Sequence, residues 1–195
     1  MKSRGLSIAL GAGKLFWVFV FGLIMFGGSA IENGPYQGAS FQGARQVGRG
    51  LLFFTAVFYA IFHAGFVLLA RQRRLSALAW SSFGLTAASL LIGAALVCYP
   101  SFAFHLAETI LFPALSMLLV AFGGSLLMAK QALRRDALTA GAFEFGGGLS
   151  GLLLGPTIAV FLFIPAWLYK CRVLRAAQCS ESPSQQSVGG HFGTA

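Results

Sequence analysis

The sequence predicts an all-α, polytopic integral membrane protein, a helical bundle of about five transmembrane helices. Three observations predict it. Only 10% of the 195 residues are charged while 57% are hydrophobic, and the mean hydropathy is +0.78. A soluble domain carries about 25% charged residues to keep its surface wet, so lipid is the solvent that suits this chain. Five apolar runs come close to the ~20 residues that cross a ~30 Å hydrocarbon core. The 14 Lys and Arg sit in short clusters beside those runs, as topology signals and contacts with anionic lipid do. No basic stripe is interleaved with aromatics on a soluble domain, so the net charge of +9 does not indicate nucleic acid.

Residues 1–14 form a basic N-terminal segment with Lys2, Arg4 and Lys14. The first span follows at Leu15–Ile31; Gly28 and Ala30 also resemble the small residues before a signal-peptide cleavage site, but the long basic start and the Phe- and Trp-rich run favour a retained helix. Residues 32–50 hold a tandem pentad, "YQGAS" then "FQGAR", whose five-residue aromatic spacing matches neither a helix nor a strand. This reads as a glycine-rich interfacial loop, either a duplicated linker or a docking loop for a partner through Tyr36 and Phe41. The second span is Leu51–Ala70, closed by the basic "RQRR". The third is Ala77–Tyr99, stopped by Pro100, and the fourth is Leu106–Ala129, ending at Lys130. The fifth, Phe145–Tyr169, is Gly-rich and Pro-kinked. Residues 15–175 thus make the transmembrane domain, and the small polar residues of 176–195 predict a disordered tail.

Five crossings leave a conflict of charge. With a cytoplasmic N-terminus, the inside segments hold nine basic residues and the outside ones five, because Lys170, Arg172 and Arg175 fall outside. If the last run does not cross, the count becomes twelve against two. A re-entrant hairpin would turn near Gly155-Pro156, where glycine permits a turn and proline lacks an amide. Because proline is tolerated in membrane helices and Ile158–Tyr169 is strongly apolar, a kinked crossing is the favoured expectation.

Gly147, Gly151 and Gly155 recur every four residues, a GxxxGxxxG face on which a second helix can approach closely. A weaker version is Gly84 with Ala88. These are the expected helix-packing residues.

Chemistry is scarce. His63 lies well inside a span and is the one candidate for cofactor binding, as a haem ligand or proton relay; otherwise it makes an interhelical hydrogen bond. His105, Glu108 and Glu144 border spans and are expected to reach an interface. His63 and His105 sit at different depths, so one haem cannot easily join them. Cys98, Cys171 and Cys179 form no metal or redox spacing, and no hydrolase, phosphate-binding or metalloprotease motif appears. The sequence therefore predicts no catalytic residues, metal or cofactor. Its expected role is a non-enzymatic accessory or scaffold subunit packing with other membrane-protein subunits, as homo- or hetero-oligomer, in the lipid bilayer. The alternative is a small channel or transporter with its pathway beside the fifth run, and a haem- or quinone-binding anchor ranks third.

Overall fold

The structure, a computed structural model, describes residues 2–32, 39–98, 112–154 and 156–180. Among them the chain forms six helices: α1 (Lys2–Glu32), α2 (Ala39–Gln72), α3 (Ser76–Cys98), α4 (Phe112–Met128), α5 (Lys130–Leu153) and α6 (Pro156–Ser180). Three contain stretches long and apolar enough to cross a membrane, Arg4–Met25, Val47–Gln72 and Ser76–Ala95; a shorter apolar segment covers Pro113–Met128. The bundle itself buries only 22%, 33% and 28% of the three long stretches. Val18, Phe21, Ile24, Trp80 and Leu91 face outward. Apolar surface on that scale needs a solvent other than water, which is consistent with a membrane protein.

Each helix runs antiparallel to the next. Along α1 and α2, Gly5 meets Leu68, Gly13 meets Phe62 and Phe16 meets Tyr59. Along α2 and α3, Gly93 meets Ala56, and the Thr86 hydroxyl reaches the Ala60 carbonyl at 3.5 Å. Ser81 bonds Ser125 across α3 and α4 at 2.9 Å, while Gly84 lies against Leu118 further along. The last helix returns to the first: Phe16 stacks on Trp167 at 4.5 Å, and the Gln178 amide donates to Ser7 Oγ at 2.7 Å. Among the described residues the six helices thus close an antiparallel ring. The serines and threonines inside the apolar helices bond their own carbonyls one turn back, as Ser82, Thr86 and Ser89 do, so they cross the apolar region without unsatisfied hydroxyls.

Four sequence expectations are corrected. The segment expected as a loop to Gly50 is helical from Ala39; once the long apolar part of α2 is formed, extension avoids a new nucleation cost. Phe41 thus falls in the first turn of α2, and Tyr36 lies outside the described residues. Residues 130–144 are not a connection but the first part of α5, built from good helix formers such as Ala, Leu, Arg and Lys. The fifth apolar run is not one kinked helix: it is divided at Leu154 between α5 and α6, with Pro156 as the first residue of α6, where a missing amide costs nothing. Pro165, by contrast, sits within α6 without ending it. Finally, α6 runs to Ser180, so residues 176–180 of the expected disordered tail are helical.

The turn between α2 and α3 is a Schellman cap. Leu75 N donates to the Ala70 carbonyl at 2.8 Å and Arg74 N to Arg71 at 3.4 Å, with Arg74 at φ 56°. Glycine usually holds this left-handed position; an arginine there costs about 1 kcal/mol.

Candidate functional site

The interior of the ring is built from one stripe per helix. On α2 the stripe is Tyr59, Phe62, His63 and Phe66, at i, i+3, i+4 and i+7, and all four are buried. On α6 it is Trp167, Lys170 and Leu174, preceded one turn earlier by Phe163 packed against the core. Phe122 comes from α4, Phe16 from α1 and Glu144 from α5.

At the centre of these stripes Lys170 Nζ donates to Glu144 Oε1 at 2.9 Å, with the two side chains 0% and 1% exposed. The ammonium is enclosed by rings: Trp167 and Phe163 lie 4.9 Å from it, Phe122 5.7 Å, Phe62 5.9 Å and Tyr59 6.0 Å. Ring quadrupoles attract the cation and partly replace its hydration. They do not replace all of it. Withdrawing two ions from water costs several kcal/mol each, and a close pair with few further hydrogen bonds only partly offsets that. An apolar pair of similar volume would hold α5 and α6 together at least as well.

His63 stands beside the pair. Its ring packs 4.2 Å from Tyr59 and 5.3 Å from Phe122, the ring that also faces Lys170. Nδ1 lies 3.0 Å from the Tyr59 carbonyl, which can only accept, so Nδ1 carries the proton. In the neutral imidazole Nε2 is then a lone-pair acceptor. Both Nε2 and Glu144 Oε2 are buried without a hydrogen-bond partner among the described residues. Among the described residues the centre thus holds one buried cation, one buried carboxylate and two acceptors that lack donors.

Glu144 is held there by its neighbours in sequence. Gly141, Glu144 and Gly148 lie at i, i+3 and i+7 on α5, and the glycines meet the α4 backbone. A Cβ on Gly148 would stand 2.8 Å from both Ser116 O and Val120 N; one on Gly141 would stand 2.8 Å from Gly123 O and 2.9 Å from Leu127 N. From the other side, a Cβ on Gly123 would collide with the Phe145 nitrogen. So close an approach locks α5 in rotation and directs Glu144 inward.

The expectation that Glu144 reaches an interface is therefore corrected: it is 2% exposed and paired. In sequence Lys170 reads as a charge flanking a span, and Tyr59, Trp167 and Phe122 carry no signal beyond apolarity. His63 is buried and lies beside the pair. His105 and Glu108 lie outside the described residues. Among the expected packing glycines, Gly84 is in contact, since a Cβ there would stand 3.1 Å from Leu118 Cδ2. Ala88 is half-buried, Gly147 buried and Gly151 half-buried, while Gly155 lies outside the described residues. Among the described residues no group of His, Cys, Asp and Glu could hold a metal ion. The chain matches no family model, and no curated protein or solved structure matches it.

Proposed function

We propose that this protein is a small, non-enzymatic, multi-pass membrane carrier that conducts protons through the centre of its helical ring. The observation that carries the reading is the Lys170–Glu144 pair with its two donorless acceptors, Glu144 Oε2 and His63 Nε2. Ionisable groups within a membrane bundle are costly and commonly mark ion pathways or proton relays. A proton arriving at Glu144 neutralises the carboxylate and releases Lys170 from it; His63 is the adjacent base that takes or supplies that proton. The pathway therefore runs through the α2–α5–α6 interior rather than beside the glycine-rich run.

A reading in which all six described helices cross is supported by the distribution of charge. With the ends of α2, α4 and α6 on the same side as the start of α1, and the central Lys170 left aside, eleven of the 14 basic residues fall toward that side and only Arg45 and Arg49 toward the other. By the distribution of Lys and Arg that side is cytoplasmic. Single cysteines at Gln72 and Ser180 should then label from the same face, and one at Ala39 from the opposite face. Labelling of Gln72 and Ser180 from different faces would remove the ring topology.

The functional test is proton flux into sealed vesicles carrying a pH dye, with potassium and valinomycin to balance charge. Vesicles holding the protein should dissipate an imposed pH gradient several-fold faster than empty ones, and His63→Gln and His63→Leu should both slow that flux. An intramembrane hydrogen bond is worth only about 0.6 kcal/mol on average, so neither variant should unfold. Wild-type vesicles as tight as empty ones would sink the carrier reading. They would leave the second one, an accessory or scaffold subunit, favoured by the exposed apolar side chains of α4 and α6 such as Met117, Phe161 and Leu168.

A further inference from the structure

A cleft of about 440 Å³ opens where α2 turns into α3, with Arg71 and Arg74 on its rim and Trp80 and Phe83 among its lining residues. Both arginines are exposed, and the stretch from Arg71 to Phe83 contains no Asp or Glu to neutralise them. Below the rim the surface is apolar: Trp80 and Phe83 pack edge to face at 6.3 Å and are 74% and 54% exposed. The cleft also takes in Ser76, the first residue of α3, and so the positive end of that helix.

Arg74 adds an independent observation. It occupies the left-handed position of the Schellman cap with φ 56°, where glycine would sit without strain. The strained side chain is one that lines the cleft. Backbone strain held at a ligand-facing residue is the pattern found where position matters more than stability.

From these features we propose that the α2–α3 turn is a binding site for an anionic phospholipid. The phosphate is held by the planar forks of Arg71 and Arg74, which suit bidentate contact with phosphate oxygens. An acyl chain lies along Trp80 and Phe83 toward the apolar outer face. The proposal rests on the membrane reading above. It adds that the basic end of the ring is not merely attracted to a charged leaflet but seats one lipid at a defined place.

The test is native mass spectrometry of the full-length protein in mild detergent, with dioleoylphosphatidylglycerol or dioleoylphosphatidylcholine added. The wild type should retain one phosphatidylglycerol in preference to phosphatidylcholine, and excess inorganic phosphate should not displace it. Basic residues at a membrane surface contribute about 1 kcal/mol each, or roughly fivefold per arginine. Arg71→Gln should therefore weaken retention by roughly that factor, while Arg172→Gln with Arg175→Gln, two exposed arginines at the same end of the ring, should leave it unchanged. The sharpest variant is Arg74→Gly, which should raise the melting temperature by relieving the turn and lower phosphatidylglycerol retention together. Equal loss from the Arg172/Arg175 pair, displacement by free phosphate, or unchanged retention in Arg71→Gln and Arg74→Gly would each overturn the site. A protein that inserts into vesicles yet shows no lipid preference contradicts this site alone; failure to insert contradicts the membrane reading beneath it.

Discussion

Two seams in this molecule use glycine in opposite ways. Between α1 and α2, glycine makes notches for side chains: a Cβ on Gly5 would meet Leu68 Cδ1 at 2.8 Å, and one on Gly13 would meet the Phe62 ring at 2.7 Å. Between α4 and α5 it brings main chain against main chain, at Gly123, Gly141 and Gly148. The Gly5 notch can yield when Leu68 changes rotamer, although Gly65 in the same seam faces the Ala9 Cβ, which cannot turn away; two backbones in contact cannot yield either. The rigid seam is the one that carries Glu144. Close helix packing here serves less to add area than to fix the rotation of a helix bearing a buried charge, since no hydrophobic force between lipid-soaked helices would do so.

The largest expected effect comes from breaking the charge that the rigid seam positions. Lys170→Leu alone, or Glu144→Leu alone, strands the other ion in an apolar interior and should destabilise the bundle by about 3–5 kcal/mol. Unfolding in a denaturing-detergent titration measures it. A cost near zero for both would mean the pair is wet or not formed.

The glycines give a smaller and graded series. Gly148→Ala and Gly123→Ala press a methyl into backbone and should each cost about 1–3 kcal/mol. Gly5→Ala presses only on Leu68, which is 43% exposed and free to move, so its cost should stay below about 0.5 kcal/mol. Gly11→Ala, with nothing within 4 Å of the added methyl, should stabilise the protein by roughly 0.4–1 kcal/mol by reducing the freedom of the unfolded chain. The same titration ranks all four, and equal costs at Gly148 and Gly5 would erase the distinction between the seams.

Much of the fold was legible because long apolar runs and their basic flanks record how a chain meets lipid, and those signals are local. The site was less legible because it depends on one turn. Glu144 and Lys170 are 26 residues apart, at opposite ends of the apolar run expected to be a single helix. A straight helix would hold them about 39 Å apart; the break at Leu154 folds α5 onto α6 and joins them. The opening between helices, not the residues, carried the information, and the Gly155-Pro156 pair that marked it also suits a kink. For the same reason the glycines flanking Glu144 do not stand out in sequence: Gly141 and Gly148 are spaced by seven, a period hidden beside the more regular Gly147, Gly151 and Gly155. His63 was visible in sequence because a histidine among phenylalanines stands out, whereas a lysine just past a span resembles an ordinary topology signal.

On the proposed reading the Lys170–Glu144 pair carries protons rather than merely holding α5 to α6. The most direct measurement is the proton flux of a double variant, Lys170→Met with Glu144→Leu, reconstituted beside the wild type after both have been unfolded in the same titration. Replacing both ions with apolar groups of similar volume removes the desolvation cost as well as the attraction. The double variant should be as stable as the wild type or more so, with its flux reduced to that of empty vesicles. A variant of wild-type stability that still carries protons at the wild-type rate would contradict it.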